Sequence, residues 1–147
     1  MKRILLAVVG FLVLVCILVG AFAYSFYIDF PSIDGPSEVR AYLPEKFSIE
    51  EAHYYQLRGF MDTWDLYRFT TSPEAIDYLI VLLKLESKGI VQNYPLIISK
   101  PPPYWWDPEL LDEAELFEST ERALDDRLYE LLYSEKTGIV YLIRFDG

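Results

Sequence analysis

The sequence predicts an α+β fold, in which an N-terminal transmembrane helix is followed by a small antiparallel sheet covered by helices. Three observations predict this arrangement. Residues 4–28 contain no charged side chain, and residues 73–88 place apolar side chains at helical spacing between capping signals. Residues 52–71 and 128–145 are rich in strand-forming side chains on either side of short turns. Two hairpins that form one sheet, with a helix on one face, make an α+β architecture.

The first element is a long apolar run that follows two positive charges. Lys2 and Arg3 precede residues 4–28, which as a helix would be about 37 Å long, against about 30 Å for a hydrocarbon core. The positive charges favour a cytoplasmic N-terminus and a C-terminal domain outside the cytoplasm. We therefore expect a single-pass membrane protein that contacts the lipid bilayer through this segment. Cleavage after Ala23, as in a signal peptide, is the alternative, and it also exports the domain.

The rest of the chain predicts one domain. Residues 1–28 form the anchor or signal segment, residues 29–36 a linker, and residues 37–147 a single extracytoplasmic α+β domain. Cys16 lies in the first segment, so the domain has no disulfide and must be held together by its core. Aromatic side chains, which bury large areas, are abundant enough to build such a core.

The best-defined predicted element is a buried helix over residues 73–88. Ser72 is a good N-cap, Pro73 fits the first helical position, and Gly89 can end the helix in the left-handed conformation. Apolar side chains recur at the spacing of one helical face at Ile76, Leu79, Ile80 and Leu83. A second, acidic helix is predicted from Asp107, because Asp107-Pro108-Glu109 repeats the same capping pattern.

The charge of the chain excludes one class of partner and favours another. The sequence has 23 acidic and 13 basic residues and a net charge of −10, so it lacks the basic face that nucleic-acid binding needs. Much of the acidic excess lies within residues 107–130. We expect Asp112, Glu113 and Glu115 to lie on the solvent side of the acidic helix, and the pattern favours a solvated helix face. The alternative is that these residues dock a basic protein partner.

The sequence offers no motif for catalysis, metal binding or a cofactor. His53 is the only histidine and Cys16 the only cysteine, which is too few for a zinc site, and a lone strand histidine is usually structural. The acidic residues lack the spacing of a calcium loop, and there is no glycine-rich phosphate loop. We therefore predict no catalytic residue, no metal and no cofactor.

One segment has the composition of a binding surface. The three consecutive prolines at 101–103 favour an extended conformation that presents Tyr104, Trp105 and Trp106 as a flat surface for a sugar or a peptide. The favoured interpretation, however, is that the two indoles cover the edge of the core while the prolines stiffen a long connection, because tryptophan is usually highly buried.

Three further segments span most of the predicted domain. They are Trp64-Asp65-Leu66-Tyr67-Arg68-Phe69-Thr70 running into Ser72-Pro73-Glu74, then Trp105-Trp106-Asp107-Pro108, and finally Thr137-Gly138-Ile139-Val140-Tyr141. Together they resemble a group of small bacterial envelope proteins of unknown function. The resemblance implies a single extracytoplasmic domain and assigns no functional residue.

The function predicted from these features is that of a membrane-anchored, extracytoplasmic interaction module without catalytic activity. Its narrower form is an inhibitor- or immunity-like protein whose acidic surface meets a basic partner. The alternative is a carbohydrate-binding or carbohydrate-active envelope domain that uses the Trp105-Trp106 segment and nearby carboxylates.

Overall fold

The computed structural model describes most of the predicted domain and part of the N-terminal segment. The described residues are 10–21, 32–58, 63–92, 94, 103–108, 111, 113–123 and 125–146. Residues 10–21 are helical. The other elements are, in chain order, β1 (Ile33–Asp34), a 3-10 turn (Val39–Ala41), β2 (Glu50–Arg58), β3 (Thr63–Thr70), helix α1 (Pro73–Leu82), β4 (Leu85–Val91), β5 (Ala114–Ser119), β6 (Leu128–Tyr133) and β7 (Ile139–Asp146).

The strands form one antiparallel sheet of seven strands in the order β1-β2-β3-β7-β6-β5-β4. Both predicted hairpins are present, since β2 pairs with β3 and β6 pairs with β7. The hairpins meet at the centre of the sheet, where β3 pairs with β7 along its whole length, from Thr63 to Thr70. Strand β4 lies at one edge and pairs with β5. The chain therefore brings segments far apart in sequence onto neighbouring strands.

Helix α1 and the 3-10 turn cover one face of the sheet. Ser72 is extended and Pro73 lies at the start of the helix, as the sequence predicts. From α1, Ala75 and Leu79 are fully buried and pack in one cluster with Phe69 of β3. The apolar stripe of the helix therefore forms part of the core, as expected for an amphipathic helix on a sheet.

Residues 103–108 and Leu111 cover the opposite face without a regular helix. Trp105 and Trp106 pack there with Tyr141 and other apolar residues of the central strands. Because both faces are covered, consecutive residues of β7 such as Leu142 and Ile143 are both fully buried. The sheet is therefore the middle layer between two hydrophobic cores.

The predicted cover of helices is wrong, because two regions predicted to be helical are strands. Helix α1 ends at Leu82, and Lys84, with a φ of 55°, turns the chain into β4. Gly89 has a φ of 94° beside a register shift between β4 and β5 rather than at a helix end. In β5, Leu116 and Phe117 are buried on opposite faces of the sheet. Burial on both faces outweighs the local capping signals.

The predicted transmembrane helix is also wrong. Within the residues that the structure describes, no helix is long and apolar enough to cross a membrane. The single-pass anchor and the membrane localisation are corrected accordingly. Lys2, Arg3 and the cleavage position after Ala23 lie outside the described residues.

Candidate functional site

An open groove of about 780 Å³ lies at one end of β4, β5 and β6. The turn between β6 and β7 closes its other side. Three carboxylates line this acidic groove, and they are Glu113, Glu115 and Glu135. Lys136 is the only basic residue in its described lining.

The floor of the acidic groove is a row of side chains across three strands. Ile90 of β4 is opposite Glu115 of β5, which is opposite Tyr133 of β6. The hydroxyl of Ser87 donates a hydrogen bond to Glu115 Oε1 at 2.5 Å and so helps to fix that carboxylate. Ile90 is 65% exposed, so an apolar side chain is accessible beside the carboxylate of Glu115. The arrangement suits a ligand with both a positive and an apolar group.

Negative charge reaches this groove from two elements. The pKa of Tyr133 is raised by partial burial and by the nearby charges of Glu135, Glu74 and Asp77. Glu135 belongs to the turn after β6, whereas Glu74 and Asp77 belong to helix α1. A negative field at the ring of Tyr133 favours positively charged ligands.

Two of the three residues predicted to dock a partner line this groove. Glu113 is exposed at its rim and Glu115 lies in its floor, while Asp112 lies outside the described residues. They reach it from β5 and the preceding loop, not from a helix. The sequence analysis missed Glu135 and Ile90, because their proximity to Glu115 depends on strand pairing that no local pattern encodes.

The predicted ligand-binding segment separates into one exposed and two buried rings. Tyr104 is 86% exposed, whereas Trp105 and Trp106 are 5% and 4% exposed. Trp105 Nε1 donates a hydrogen bond to the hydroxyl of Ser32 at 2.7 Å, and its ring stacks on His53. The indoles therefore contribute to the core of this face, and Tyr104 alone is presented to solvent.

His53 belongs to a row of paired polar groups beneath Trp105. His53 Nδ1 lies 2.7 Å from Asp34 Oδ1, and its cross-strand neighbour Arg68 donates to the hydroxyl of Tyr141 at 3.3 Å. Tyr141 in turn donates to Asp107, and burial together with that carboxylate raises the pKa of Tyr141 to about 12. In the described part of the chain, no three His, Cys, Asp or Glu side chains are grouped to hold a metal.

A second polar cluster lies on the face that α1 covers. Asp65 is fully buried and pairs with Arg144 of the neighbouring strand. The other oxygen of Asp65 accepts hydrogen bonds from the Tyr54 hydroxyl at 2.6 Å and from Gln56 Nε2 at 3.0 Å. Arg144 Nη1 donates to the hydroxyl of Tyr42 at 2.9 Å. Burial and the hydrogen bond to Asp65 raise the pKa of Tyr54 well above its ordinary value.

Comparison of the chain with protein-family models, curated proteins and solved structures gives no match. The functional argument therefore rests on the geometry and charge of the described residues.

Proposed function

We propose that this protein is a non-catalytic interaction module that binds a basic segment of a partner protein in its acidic groove. The observation that carries the proposal is the convergence of Glu113, Glu115 and Glu135 around one open groove of about 780 Å³. These carboxylates come from separate segments, which the pairing of β5 with β6 brings together. Complementary charge across an interface speeds association and selects the sign of the partner.

The balance of charge in the groove supports a basic partner. Three carboxylates face one lysine in the described lining, and the whole chain carries a net charge of −10. At physiological salt the field of exposed charges reaches about 8 Å, so these carboxylates act together on a charge placed between them. Lysine or arginine side chains of a partner supply the positive charge that such a group of carboxylates attracts.

The edge of the sheet supports a partner segment in an extended conformation. Strand β4 lies at the edge, and in the described part of the chain it pairs only with β5. The outer backbone groups of an edge strand can pair with an added strand of another chain. Ile90, on this strand, is also part of the groove, so the same segment can reach the carboxylates.

The chemistry of the lining supports binding over catalysis. Its described residues include no histidine and no cysteine, the side chains that most often serve as general base or activated nucleophile. Its carboxylates lie in an open groove, where they are accessible to a charged partner.

The test is the binding of a fluorescein-labelled octalysine peptide to the full chain, followed by anisotropy. A triple variant, Glu113→Gln, Glu115→Gln and Glu135→Gln, should bind the peptide about tenfold more weakly, since each exposed ion pair contributes up to about 1 kcal/mol. Raising the salt concentration should reduce binding to the parent chain more than binding to the variant.

A matched variant distinguishes binding in the acidic groove from attraction of the peptide to the net charge of the chain. Glu45, Glu50 and Glu51 are exposed and do not line the groove, so changing all three to Gln alters the net charge equally. This control should keep its affinity within about twofold. Equal weakening of the two triple variants would show that octalysine responds to net charge alone and would contradict the proposal.

A further inference from the structure

A separate small pocket lies at the opposite end of helix α1. It has a volume of about 260 Å³ and is bounded by the last turn of α1, the 3-10 turn and the loop between β5 and β6. Ligand pockets usually range from about 300 to 1,000 Å³, so this one is suited to a small ligand. Its apolar walls are formed by Ala41, Leu82, Leu83 and Ala123.

Two aromatic rings and two charged groups complete the pocket. Tyr42 and Tyr129 contribute the rings, which meet edge to face with centroids 5.9 Å apart. Arg144 and Asp125 contribute the charges. The class of ligand therefore depends on which of these two charges is already neutralised within the protein.

The charge of Arg144 is already neutralised. Its Nε donates to Asp65 Oδ2 at 2.6 Å, its Nη2 also contacts that oxygen, and its Nη1 donates to Tyr42. Asp65 is fully buried and Arg144 is 17% exposed, so little water screens this pair. The guanidinium therefore offers the pocket little net positive charge.

The charge of Asp125 is less completely neutralised. Its side chain is 39% exposed, and the Arg127 guanidinium reaches it only at 3.5 Å, in an exposed ion pair that is weak by nature. The hydroxyl of Tyr129 donates to the same oxygen, Oδ2. Burial and this carboxylate raise the pKa of Tyr129, so the hydroxyl keeps its proton. The carboxylate thus remains the dominant charge at the mouth of the pocket.

The C-terminal end of helix α1 adds partial negative charge to the pocket. The C-terminus of a helix carries a partial negative charge from its last carbonyl groups, and basic side chains in the last turn usually offset it. Helix α1 has no basic residue in its last turn. Lys84, just beyond it, forms an ion pair with Glu121 at 2.7 Å. The N–H groups of Leu83 and Lys84 bond to the carbonyls of Leu79 and Val81, so the helix end is partly capped by backbone groups but not by a basic side chain of its last turn.

We propose that this pocket binds a small organic cation, an ammonium group on an apolar body. The ammonium group lies against Asp125 at the mouth of the pocket, close to the C-terminal end of α1. The apolar body fills the space between Leu82 and Leu83 on one side and Ala123 on the other. This site is independent of the acidic groove, with which it shares no lining residue.

The test is calorimetric titration of the full chain with two probes of similar size and opposite charge, phenethylammonium chloride and sodium hydrocinnamate. We expect saturable binding of phenethylammonium and at least about tenfold weaker binding of hydrocinnamate. Asp125→Asn should weaken phenethylammonium binding about tenfold, because a hydrogen bond to a charged group contributes that much. Equal binding of both probes, tighter binding of hydrocinnamate, or binding of neither would overturn the proposal.

Two further variants test whether the probe binds in this pocket. Asp126→Asn is the matched control, because the Asp126 side chain is 87% exposed and does not line the pocket. It should change the affinity by less than about twofold. Ala41→Leu narrows the pocket at an exposed position and should also weaken phenethylammonium binding while thermal unfolding stays unchanged. Identical effects of Asp125→Asn and Asp126→Asn would overturn the assignment to this pocket.

Discussion

Replacement of Asp65 by asparagine should produce one of the largest losses of stability available from a single polar substitution in this chain. Asp65 is fully buried and carries the charge that neutralises Arg144, which is itself 17% exposed. The side chain of asparagine has the same shape, but one of its oxygens becomes an NH₂ group that cannot accept from the guanidinium. Removing one partner of a buried pair costs about 3 to 5 kcal/mol, because the remaining charge is left uncompensated. That is a large share of a total stability of about 5 to 15 kcal/mol.

The assay is urea unfolding of the full chain at neutral pH, followed by tryptophan fluorescence. Asp126→Asn removes an exposed carboxylate that lies 3.8 Å from Arg122, and it should cost less than about 1 kcal/mol. The double variant Asp65→Asn with Arg144→Met removes both charges and should be more stable than Asp65→Asn alone. An Asp65→Asn variant within about 1 kcal/mol of the parent would refute the reasoning, as would additive losses in the double variant.

Three further predictions concern the core, a turn and pH. Leu79→Ala should lower the free energy of unfolding by about 2 to 5 kcal/mol, whereas Val81→Ala, at a position 80% exposed on the same helix, should change it by less than about 0.5 kcal/mol. Gly138 has a φ of 71°, and a Cβ there would lie 3.3 Å from the carbonyl oxygen of Thr71, so Gly138→Ala should cost about 1 to 2 kcal/mol in the same urea experiment. Burial raises the pKa of Glu130, so its contribution to stability is fully present below its unfolded pKa and is lost as pH rises through the folded one. The stability of the parent relative to Glu130→Gln should therefore fall as the pH rises above about 4, the ordinary pKa of a glutamate, and a flat difference would contradict the assignment.

Local sequence signals succeeded where neighbouring residues settle the structure. The two hairpins are encoded by strand-forming runs on either side of short turns, and the glycine of the second turn, Gly138, adopts the positive φ that its position requires. The start of helix α1 at Pro73 is likewise encoded by its immediate neighbours.

The same signals failed where tertiary packing decides. Residues 85–88 belong to the helix that the sequence predicts, but they form the start of β4, where residues 85–87 pair with β5 and Leu85 reaches the core. Asp107-Pro108-Glu109 resembles a helix start, yet the residues that follow become β5, which is buried on both faces. A capping pattern contributes about 1 kcal/mol, whereas each buried aliphatic or aromatic side chain contributes about 1.5 to 3 kcal/mol.

The candidate site was predictable in its charge but not in its construction. The excess of acid within residues 107–130 pointed to Glu113 and Glu115, and both line the groove. Glu135 lies in a turn about 20 residues later and joins them only because β5 pairs with β6. The pairing of Asp65 with Arg144 spans a still longer stretch of chain and depends on β3 meeting β7. Such contacts are set by register, which the composition of a segment does not reveal.

Helix α1 contributes negative charge to both proposed sites on this face of the sheet. Both faces of the sheet are covered, and the two proposed sites lie near the two ends of this covering helix. At the start of α1, Glu74 offsets the positive end of the helix, and Glu74 and Asp77 extend negative charge to Tyr133 in the acidic groove. At its other end no basic side chain lies in the last turn, and the partial negative charge of the carbonyls adds to that of Asp125. A helix of ten residues thus leaves negative potential at both ends, and the two proposed sites use it for ligands of different size.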